Sequence, residues 1–236
     1  MQSPSDVSEH EESTEVIWII GGGQFGLRAV HQLRGDTSSP SIILVDRTPL
    51  EISGETIEII TGDGISWLQE NLTPSTRVSK IIPAVPLHLA ACWLQAKLPG
   101  GHSAWHRETI PERILNRFPH PFLTADGSAT LSYADFLCPP DCVEPEGYCT
   151  YTGQSRPIPL HRYVETIDCR PCRLLILRSR QFGPGVGGFY PEDLWSLLSR
   201  ARENPEQPLL IVTACNCHGI ATLLCPNDHD LTDFHP

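Results

Sequence analysis

Nine cysteines occur in the chain, and the spacing of several of them is suited to binding a metal. Thiols clustered in rigid turns favour tetrahedral thiolate ligation, by zinc or by an iron–sulfur cluster. One such stretch is rich in proline and glycine and reads CPPDCVEPEGYC, from Cys138 to Cys149. We therefore predict a zinc or iron–sulfur site whose first three ligands are Cys138, Cys142 and Cys149.

Two later segments are candidates for the fourth ligand. One is Cys169-Arg-Pro-Cys172, and the other is Cys215-Asn-Cys217-His218, which directly follows a predicted strand. Ligands in open α/β sheets bind at the carboxyl ends of the strands, so we favour Cys217. The alternative for any of these cysteines is a small buried side chain without a ligand.

Two histidines are candidates for a general acid or base, because each follows a predicted strand. His218 is part of the second cysteine segment, and His88 follows the fourth strand of the predicted sheet. The alternative for His88 is a helix-capping or core histidine without a chemical role.

A glycine cluster near the start of the chain predicts nucleotide binding. It follows an apolar run and consists of Gly21, Gly22, Gly23, Gln24, Phe25 and Gly26. In the pattern G-x-G-x-x-G the first glycine allows a tight turn, and the second lets the backbone approach a pyrophosphate. The third lets the helix pack close to the strand. The N–H groups at the start of that helix then face the phosphates.

The acidic residue that normally accompanies this pattern is also present. A second apolar run ends in Asp46, about 20 residues after the glycines, where the ribose-binding acid belongs. A carboxylate at this position favours NAD over NADP, although the neighbouring Arg47 weakens the preference. These residues predict a bound dinucleotide, and the alternative is a glycine turn without a ligand.

Strands and helices alternate over residues 15–98 and again over 174–225, which is typical of βαβ units and a parallel sheet. We therefore predict an α/β fold, a Rossmann-like doubly wound parallel sheet. A cysteine-rich irregular insertion (99–173) lies between strands four and five, and 174–225 completes the sheet. A disordered acidic tail (1–14) and a flexible tail (226–236) flank it.

Three motifs resemble the nucleotide-binding domain of the TrkA and RCK potassium-transport regulators. They are Gly21-Gly-Gly-Gln-Phe-Gly26, Leu44-Val-Asp-Arg47 and Thr61-Gly-Asp63, within residues 15–98. The resemblance implies that Asp46 holds the adenosine ribose and that Gly62 and Asp63 line the adenine pocket. Gly21-Gly-Gly with Leu27-Arg28 also resembles precorrin-2 dehydrogenase. That family has a catalytic aspartate in its nucleotide domain, and we find no counterpart after strand four.

Composition argues against several classes of partner. The net charge is −11 and no basic stripe is visible, which argues against nucleic acid and anionic membranes. Prolines interrupt the longest apolar run, and the N-terminus is too polar for a signal peptide. Nine cysteines without an export signal favour free thiols, metal ligands or redox groups over a disulfide framework, and a cytoplasmic location. The sequence leaves open whether the chain forms a homo-oligomer.

Two functions remain. The first is an NAD-linked oxidoreductase with a cysteine-ligated metal or iron–sulfur site near the nicotinamide, acting on an unknown small molecule. The sequence has no Tyr-x-x-x-Lys pair, which argues against a short-chain dehydrogenase mechanism. The alternative is a non-catalytic module of TrkA/RCK type that senses NAD(H) or an adenine nucleotide, with a structural zinc or a redox-sensing cysteine loop.

Overall fold

The computed structural model describes residues 15–34, 40–52 and 54–227, and within them the chain forms two main β-sheets. The predicted tail at 1–14 lies outside the described residues, as does most of the tail predicted at 226–236. Two residues of that second tail have a defined place. Pro226 ends a strand, and the N–H of Asn227 donates to the carbonyl of Ala104 at 2.9 Å.

The first sheet has four parallel strands in the order β3-β2-β1-β4, as the alternating pattern predicts. β1 is central, and Ile17, Trp18, Ile19 and Ile20 are all buried because the sheet is covered on both faces. The strands are β1 (Val16–Ile20), β2 (Ser41–Asp46), β3 (Ile57–Thr61) and β4 (Lys80–Pro83).

Helices cover both faces of this sheet. The helix α1 (Gln24–Leu33) packs Ala29, Val30 and Leu33 on one face, while α2 (Gly64–Asn71) and α3 (Leu89–Lys97) cover the other. Asp63 caps α2 by accepting the N–H of Ser66 at 2.9 Å. Within the described residues no side chain caps α1, which leaves the N–H groups of its first turn without a capping partner there.

The second half of the chain does not complete the first sheet, so that prediction is wrong. It forms a separate six-stranded sheet in the order β10-β13-β14-β7-β6, with β5 also pairing with β14. Among the described strands of this second sheet, only β10 and β13 pair in parallel. The strands are β5 (Trp105–Glu108), β6 (Phe122–Leu123), β7 (Ala129–Ser132), β10 (Arg173–Arg178), β13 (Leu209–Ala214) and β14 (His218–Pro226).

The cause of this difference is β14, a strand that the sequence prediction missed. It returns antiparallel to β13, and its other edge needs partners, which β5 and β7 supply. The region 99–173 is therefore only partly an irregular insertion, because three of its strands belong to the second sheet. The chain is a mixed α/β protein with one parallel sheet and further sheets.

The two sheets share a core. Helices α3 and α6 (Pro191–Ala201) lie between them, and the rings of Trp93 and Trp195 pack edge-to-face at 5.1 Å. The short helices α4 (Glu112–Leu115) and α5 (Leu160–Val164) cover the far face of the second sheet. None of the described helices combines the length and the apolar character needed to cross a membrane.

Two small hairpins complete the described fold. They are β8 (Gly147–Tyr148) with β9 (Ser155–Arg156), and β11 (Arg180–Gly183) with β12 (Val186–Gly188). The β11–β12 hairpin contacts α1 and β4, and Phe189 exchanges two backbone hydrogen bonds of 3.0 Å with Ile81. The second glycine-rich stretch of the sequence is thus a hairpin turn beside the first sheet.

Candidate functional site

A cavity of about 770 Å³ opens where α1, the β11–β12 hairpin, the first cysteine segment and the β13–β14 turn meet. We call it the thiol cavity, because five cysteines and a histidine line it: Cys138, Cys142, Cys149, Cys215, Cys217 and His218. Gln24, Phe25 and Arg28 of α1 form another part of its wall. The structure therefore brings together both favoured cysteine segments and the helix that follows the glycine loop.

Hydrogen bonds to its backbone carbonyls hold the loop between Cys138 and Cys142 in place. The carbonyl of Pro140 accepts from Arg28 at 3.2 Å, and the carbonyl of Cys142 accepts from the Gln181 amide at 2.6 Å. The N–H of Gly185 also donates to the Cys142 carbonyl, at 3.1 Å. Gly185 has φ +68°, and a Cβ there would lie 1.8 Å from the Pro140 oxygen. The second glycine stretch thus packs against the cysteine loop and fixes its position.

The β13–β14 turn holds Cys215 and Cys217. The Sγ of Cys215 accepts the backbone N–H of Cys217 at 3.5 Å and of His218 at 3.2 Å. The carboxylate of Glu144 accepts the Cys217 N–H at 2.7 Å. Burial, together with the adjacent Glu144, raises the pKa of the Cys215 thiol well above its usual range. Burial also raises the pKa of Glu144.

A second turn presents Cys149 in a different environment. Its sulfur accepts hydrogen bonds from the side chain and N–H of Thr152 and from the N–H of Tyr151, which lower the pKa of the Cys149 thiol. Arg156 of β9 donates to the Cys217 Sγ at 2.9 Å, and its positive charge also acts on Cys138 and Cys149. Arg156 therefore lowers the pKa of Cys138, Cys149 and Cys217, but burial outweighs it at Cys138 and Cys217, whose thiol pKa is raised.

His218 faces a thiol. Its Nε2 lies 3.4 Å from the Sγ of Cys138. Burial lowers the pKa of His218, as does the nearby Arg156, and burial raises the pKa of Cys138. At neutral pH the pair is therefore a neutral imidazole beside a thiol, and the ring nitrogen is placed to accept the thiol proton.

The cavity thiols do not form a ready metal site. Among the described residues, no group of three or more His, Cys, Asp or Glu side chains is arranged to hold a metal ion. The Cys217 sulfur accepts a hydrogen bond from Arg156, and the Cys138 sulfur lies within hydrogen-bond distance of His218. Both sulfurs therefore already have partners in the protein. The zinc or iron–sulfur site at Cys138, Cys142, Cys149 and Cys217 stays a prediction.

The other candidate source of a fourth ligand lies elsewhere. Cys169 and Cys172 are buried in the core on the far face of the second sheet, together with Cys225. The Cys169 thiol donates a hydrogen bond to the Cys172 carbonyl at 3.4 Å. Neither is part of the wall of the thiol cavity.

The glycine loop has the geometry that its pattern predicts. Gly21 has φ +110°, and a Cβ on Gly26 would lie 1.9 Å from the Gly21 carbonyl oxygen. A Cβ on Gly23 would meet nothing within 4 Å, so the backbone there is open to a ligand. The free first turn of α1 begins directly after Gly23.

The acidic residues near this loop lie at the carboxyl ends of β2 and β3. Asp46 accepts the N–H of Gly22 at 2.5 Å and of Thr48 at 2.7 Å, which lowers the pKa of its carboxyl. The N–H of Gly62 donates to the Asp46 carbonyl at 2.8 Å. Asp63 pairs with Arg47, and its bond to Ser66 is the main reason that its pKa is lowered to about 2.

His88 lies in the core, as the alternative interpretation of this residue expects, and not in the thiol cavity. It is 2% exposed, and its Nε2 and Nδ1 lie 2.8 Å and 2.9 Å from the hydroxyls of Thr213 and Thr222. Burial lowers the pKa of His88 to about 3. The predicted catalytic role therefore has no geometric support, because both ring nitrogens join α3 to the second sheet.

The sequence analysis did not identify two charged residues of the cavity, and it did not identify the apolar side chains around the opening. Glu144 and Arg156 contact Cys217 from positions 73 and 61 residues away in the chain. The sequence feature that could have indicated them is their position, since Glu144 lies within the first cysteine segment and Arg156 follows it closely. Exposed apolar side chains surround the opening, including Phe25 at 67%, Leu137 at 96% and Tyr151 at 66%.

Two comparisons with known proteins match the chain, one over its second part and one over most of its length. The AF_1314_C family, described as "Uncharacterized protein, C-terminal domain", matches residues 90–226. A relative from Archaeoglobus fulgidus, described as an uncharacterized protein, is 28% identical over 221 residues, which cover 87% of this chain and 97% of the relative. No solved structure matches the chain. The family match spans more than half of the chain and includes every cysteine of the thiol cavity, so the protein belongs to the AF_1314_C family.

Proposed function

We propose that the protein is an NAD-linked oxidoreductase that binds the dinucleotide at the glycine loop and uses the thiol cavity as its reaction site. The observation that carries this proposal is a single cavity that joins the first turns of α1 to five cysteines. The cytoplasmic location expected from the cysteine usage is part of the same proposal.

The first sheet supports the dinucleotide half of the proposal. Its strand order, β3-β2-β1-β4, is that of the first half of a Rossmann-like sheet, in which the ligand lies at the carboxyl ends of the strands. The open backbone at Gly23 and the uncapped first turn of α1 would hold the pyrophosphate. Asp46 would bind the ribose, and Gly62 and Asp63 would line the adenine pocket, as the TrkA and RCK resemblance implies.

The residues of the cavity have distinct roles in this proposal. Bound NAD(H) would supply the group that accepts or donates hydride. Gln24, Phe25 and Arg28 would border its reactive end, and the apolar rim would exclude water from it. The Nε2 of His218, 3.4 Å from the Cys138 Sγ, would accept a hydrogen bond from that thiol, and Arg156 would stabilise negative charge on Cys217.

The proposal is tested by titrating the protein with NADH. A Gly23→Asp change adds a carboxylate where a side chain has free space, so the fold is retained while the phosphates are repelled. We expect at least tenfold weaker NADH binding, against an unchanged affinity for Ser75→Asp, which adds the same charge in an exposed loop. Equal affinity in Gly23→Asp and the wild type, or no NADH binding by the wild type, rejects the proposal.

We keep a metal-bearing cavity as a second proposal, in which zinc or an iron–sulfur cluster binds Cys138, Cys142, Cys149 and Cys217. Its support is the turn at Cys149, in which the N–H groups of Tyr151 and Thr152 donate to the cysteine sulfur, since such bonds stabilise a thiolate ligand. Arg156 would have to leave Cys217. The same proposal covers the alternative of a non-catalytic sensor, with the metal as a structural element.

Anaerobic metal analysis of the purified chain tests this second proposal. We expect about one zinc ion or one cluster per chain, and its loss in Cys142→Ser. Cys172→Ala, which changes a thiol outside the cavity, should keep the metal. A wild-type protein without metal, or one whose metal content is the same in Cys142→Ser, rejects a metal at this site. Turnover with bound NADH separates an enzyme from a sensor.

A further inference from the structure

A second cavity, of about 500 Å³, lies on the α5 side of the second sheet, along its β10 edge. We call it the arginine cavity. Arg162 follows the first residues of α5, Arg178 ends β10 and Arg180 begins β11, while Arg200 lies in the last turn of α6. Along β10, Leu174, Ile176 and Arg178 alternate and so face the same side. The full lining is His161, Arg162, Glu165, Leu174, Ile176, Arg178, Arg180 and Arg200.

The charge of this cavity is not balanced within the protein. Arg162 pairs with Glu165, and Arg180 pairs with Asp193. The guanidinium groups of Arg178 and Arg200 have no hydrogen-bond or ion-pair partner in the described part of the chain. The chain as a whole, in contrast, has a net charge of −11. A concentration of arginines against that overall charge is typical of a site that binds an anion.

The arginine cavity adjoins the thiol cavity. Arg180 belongs to the wall of both. The carbonyl of Cys215 accepts the N–H of His161 at 3.1 Å, and Nδ1 of the same histidine lies 3.4 Å from that carbonyl. His161 is 6% exposed and lines the arginine cavity, so its contact with Cys215 links that cavity to a residue of the thiol cavity.

We propose that the arginine cavity binds a small, multiply charged oxyanion, either phosphate-bearing or polycarboxylate, with Arg178 and Arg200 as its main contacts. Both chemistries present pairs of acceptor oxygens that the planar guanidinium fork binds with two parallel hydrogen bonds. The glycine loop is not part of this cavity, so the proposal does not depend on NAD binding. A ligand held here lies beside His161, whose N–H donates to the Cys215 carbonyl, so it is placed to act as an effector of the thiol cavity.

Calorimetric titration of the full chain with inorganic phosphate, pyrophosphate and citrate tests the proposal. We expect the wild type to bind at least one of the three anions and the double variant Arg178→Gln/Arg200→Gln to bind it at least tenfold more weakly. The control is Arg77→Gln/Arg117→Gln, which removes the same charge from two exposed positions and should retain the wild-type affinity. Thermal unfolding of each variant checks that the fold is intact, and the preferred anion distinguishes phosphate from carboxylate ligands.

Three outcomes overturn the inference. The wild type binds none of the anions, or the Arg178→Gln/Arg200→Gln variant binds as tightly as the wild type. The third outcome is that the Gly23→Asp variant no longer binds the anion while the arginine variant still does, which would place the anion at the start of α1. NADH affinity in the arginine variant should equal that of the wild type. Failure of NADH binding alone rejects the proposed function and leaves the arginine cavity intact.

Discussion

The imidazole of His88 joins α3 to two threonine hydroxyls of the second sheet, and this makes folding sensitive to acid. Burial is the main reason that its pKa falls to about 3, and the positive charge of Arg107 adds to the effect. In the unfolded chain a histidine binds a proton near pH 6.5. The folded state therefore excludes a proton that the unfolded state takes up. The stabilisation is complete above pH 6.5 and is lost as the pH falls toward 3.

We expect His88→Gln to reduce the pH dependence of the unfolding free energy. Between pH 5 and 6 the slope should fall by about 1 kcal/mol per pH unit, because one histidine contributes up to about 1.4. Urea unfolding at several pH values measures it. His102→Gln, at an exposed position, should leave the slope unchanged. Identical slopes for His88→Gln and the wild type would contradict the neutral, buried state of His88.

Asp63 has two partners, and substitution separates their contributions. Its carboxylate caps α2 through Ser66 and also pairs with the exposed Arg47. Asp63→Ala should lower the unfolding free energy by about 1 kcal/mol, the usual cost of losing a cap. Asp63→Ser keeps a capping oxygen and loses the ion pair, and should lie within about 0.5 kcal/mol of the wild type, since exposed ion pairs contribute little. Equal losses in both variants would assign the stability to the ion pair.

At the scale of elements, the β11–β12 hairpin determines the position of the cysteine loop. Gly185→Ala places a methyl group against the Pro140 carbonyl in a backbone with φ +68°. We expect a loss of at least about 2 kcal/mol of stability, together with severalfold faster modification of Cys142 by a thiol reagent. Gly153→Ala is the matched control, with φ +71° and free space around the added Cβ. It should cost about 1 kcal/mol and leave the labelling rate unchanged.

Elements with local signals were predictable, and those that depend on distant pairing were not. The strands β1 to β4 and the helix α1 follow from apolar runs, glycines and Asp46, all within short stretches of sequence. The second sheet depends on β14, whose run Ile220–Cys225 is apolar but gives no sign that it pairs with β5 and β7, more than 85 residues earlier. Likewise, the sequence predicted that the segments carrying Cys138 and His218 meet in one site. It did not predict that Arg156 lies in the same site.

At the scale of the whole molecule, the core between the sheets predicts a single folding unit. Trp93 and Trp195 lie in this core, and Trp18 and Trp67 pack at 4.5 Å on the side of the first sheet that faces it. We expect one urea transition, with coincident midpoints by tryptophan fluorescence and far-ultraviolet circular dichroism. Fragments 15–98 and 99–226 should each unfold without a cooperative transition, because each exposes its share of this core. A cooperative transition in either fragment would contradict a shared core.

The wall that α1 contributes to the thiol cavity has a consequence for how the protein can evolve. The family match begins at residue 90, whereas Gln24, Phe25 and Arg28 precede it. A descendant that exchanged its first sheet for an unrelated one would inherit every cavity thiol and all the arginines of the second cavity. Relatives can therefore be sorted by whether the G-x-G-x-x-G spacing survives in the region before residue 90, and that sorting separates the ancestry of the cysteines from the ancestry of the nucleotide loop.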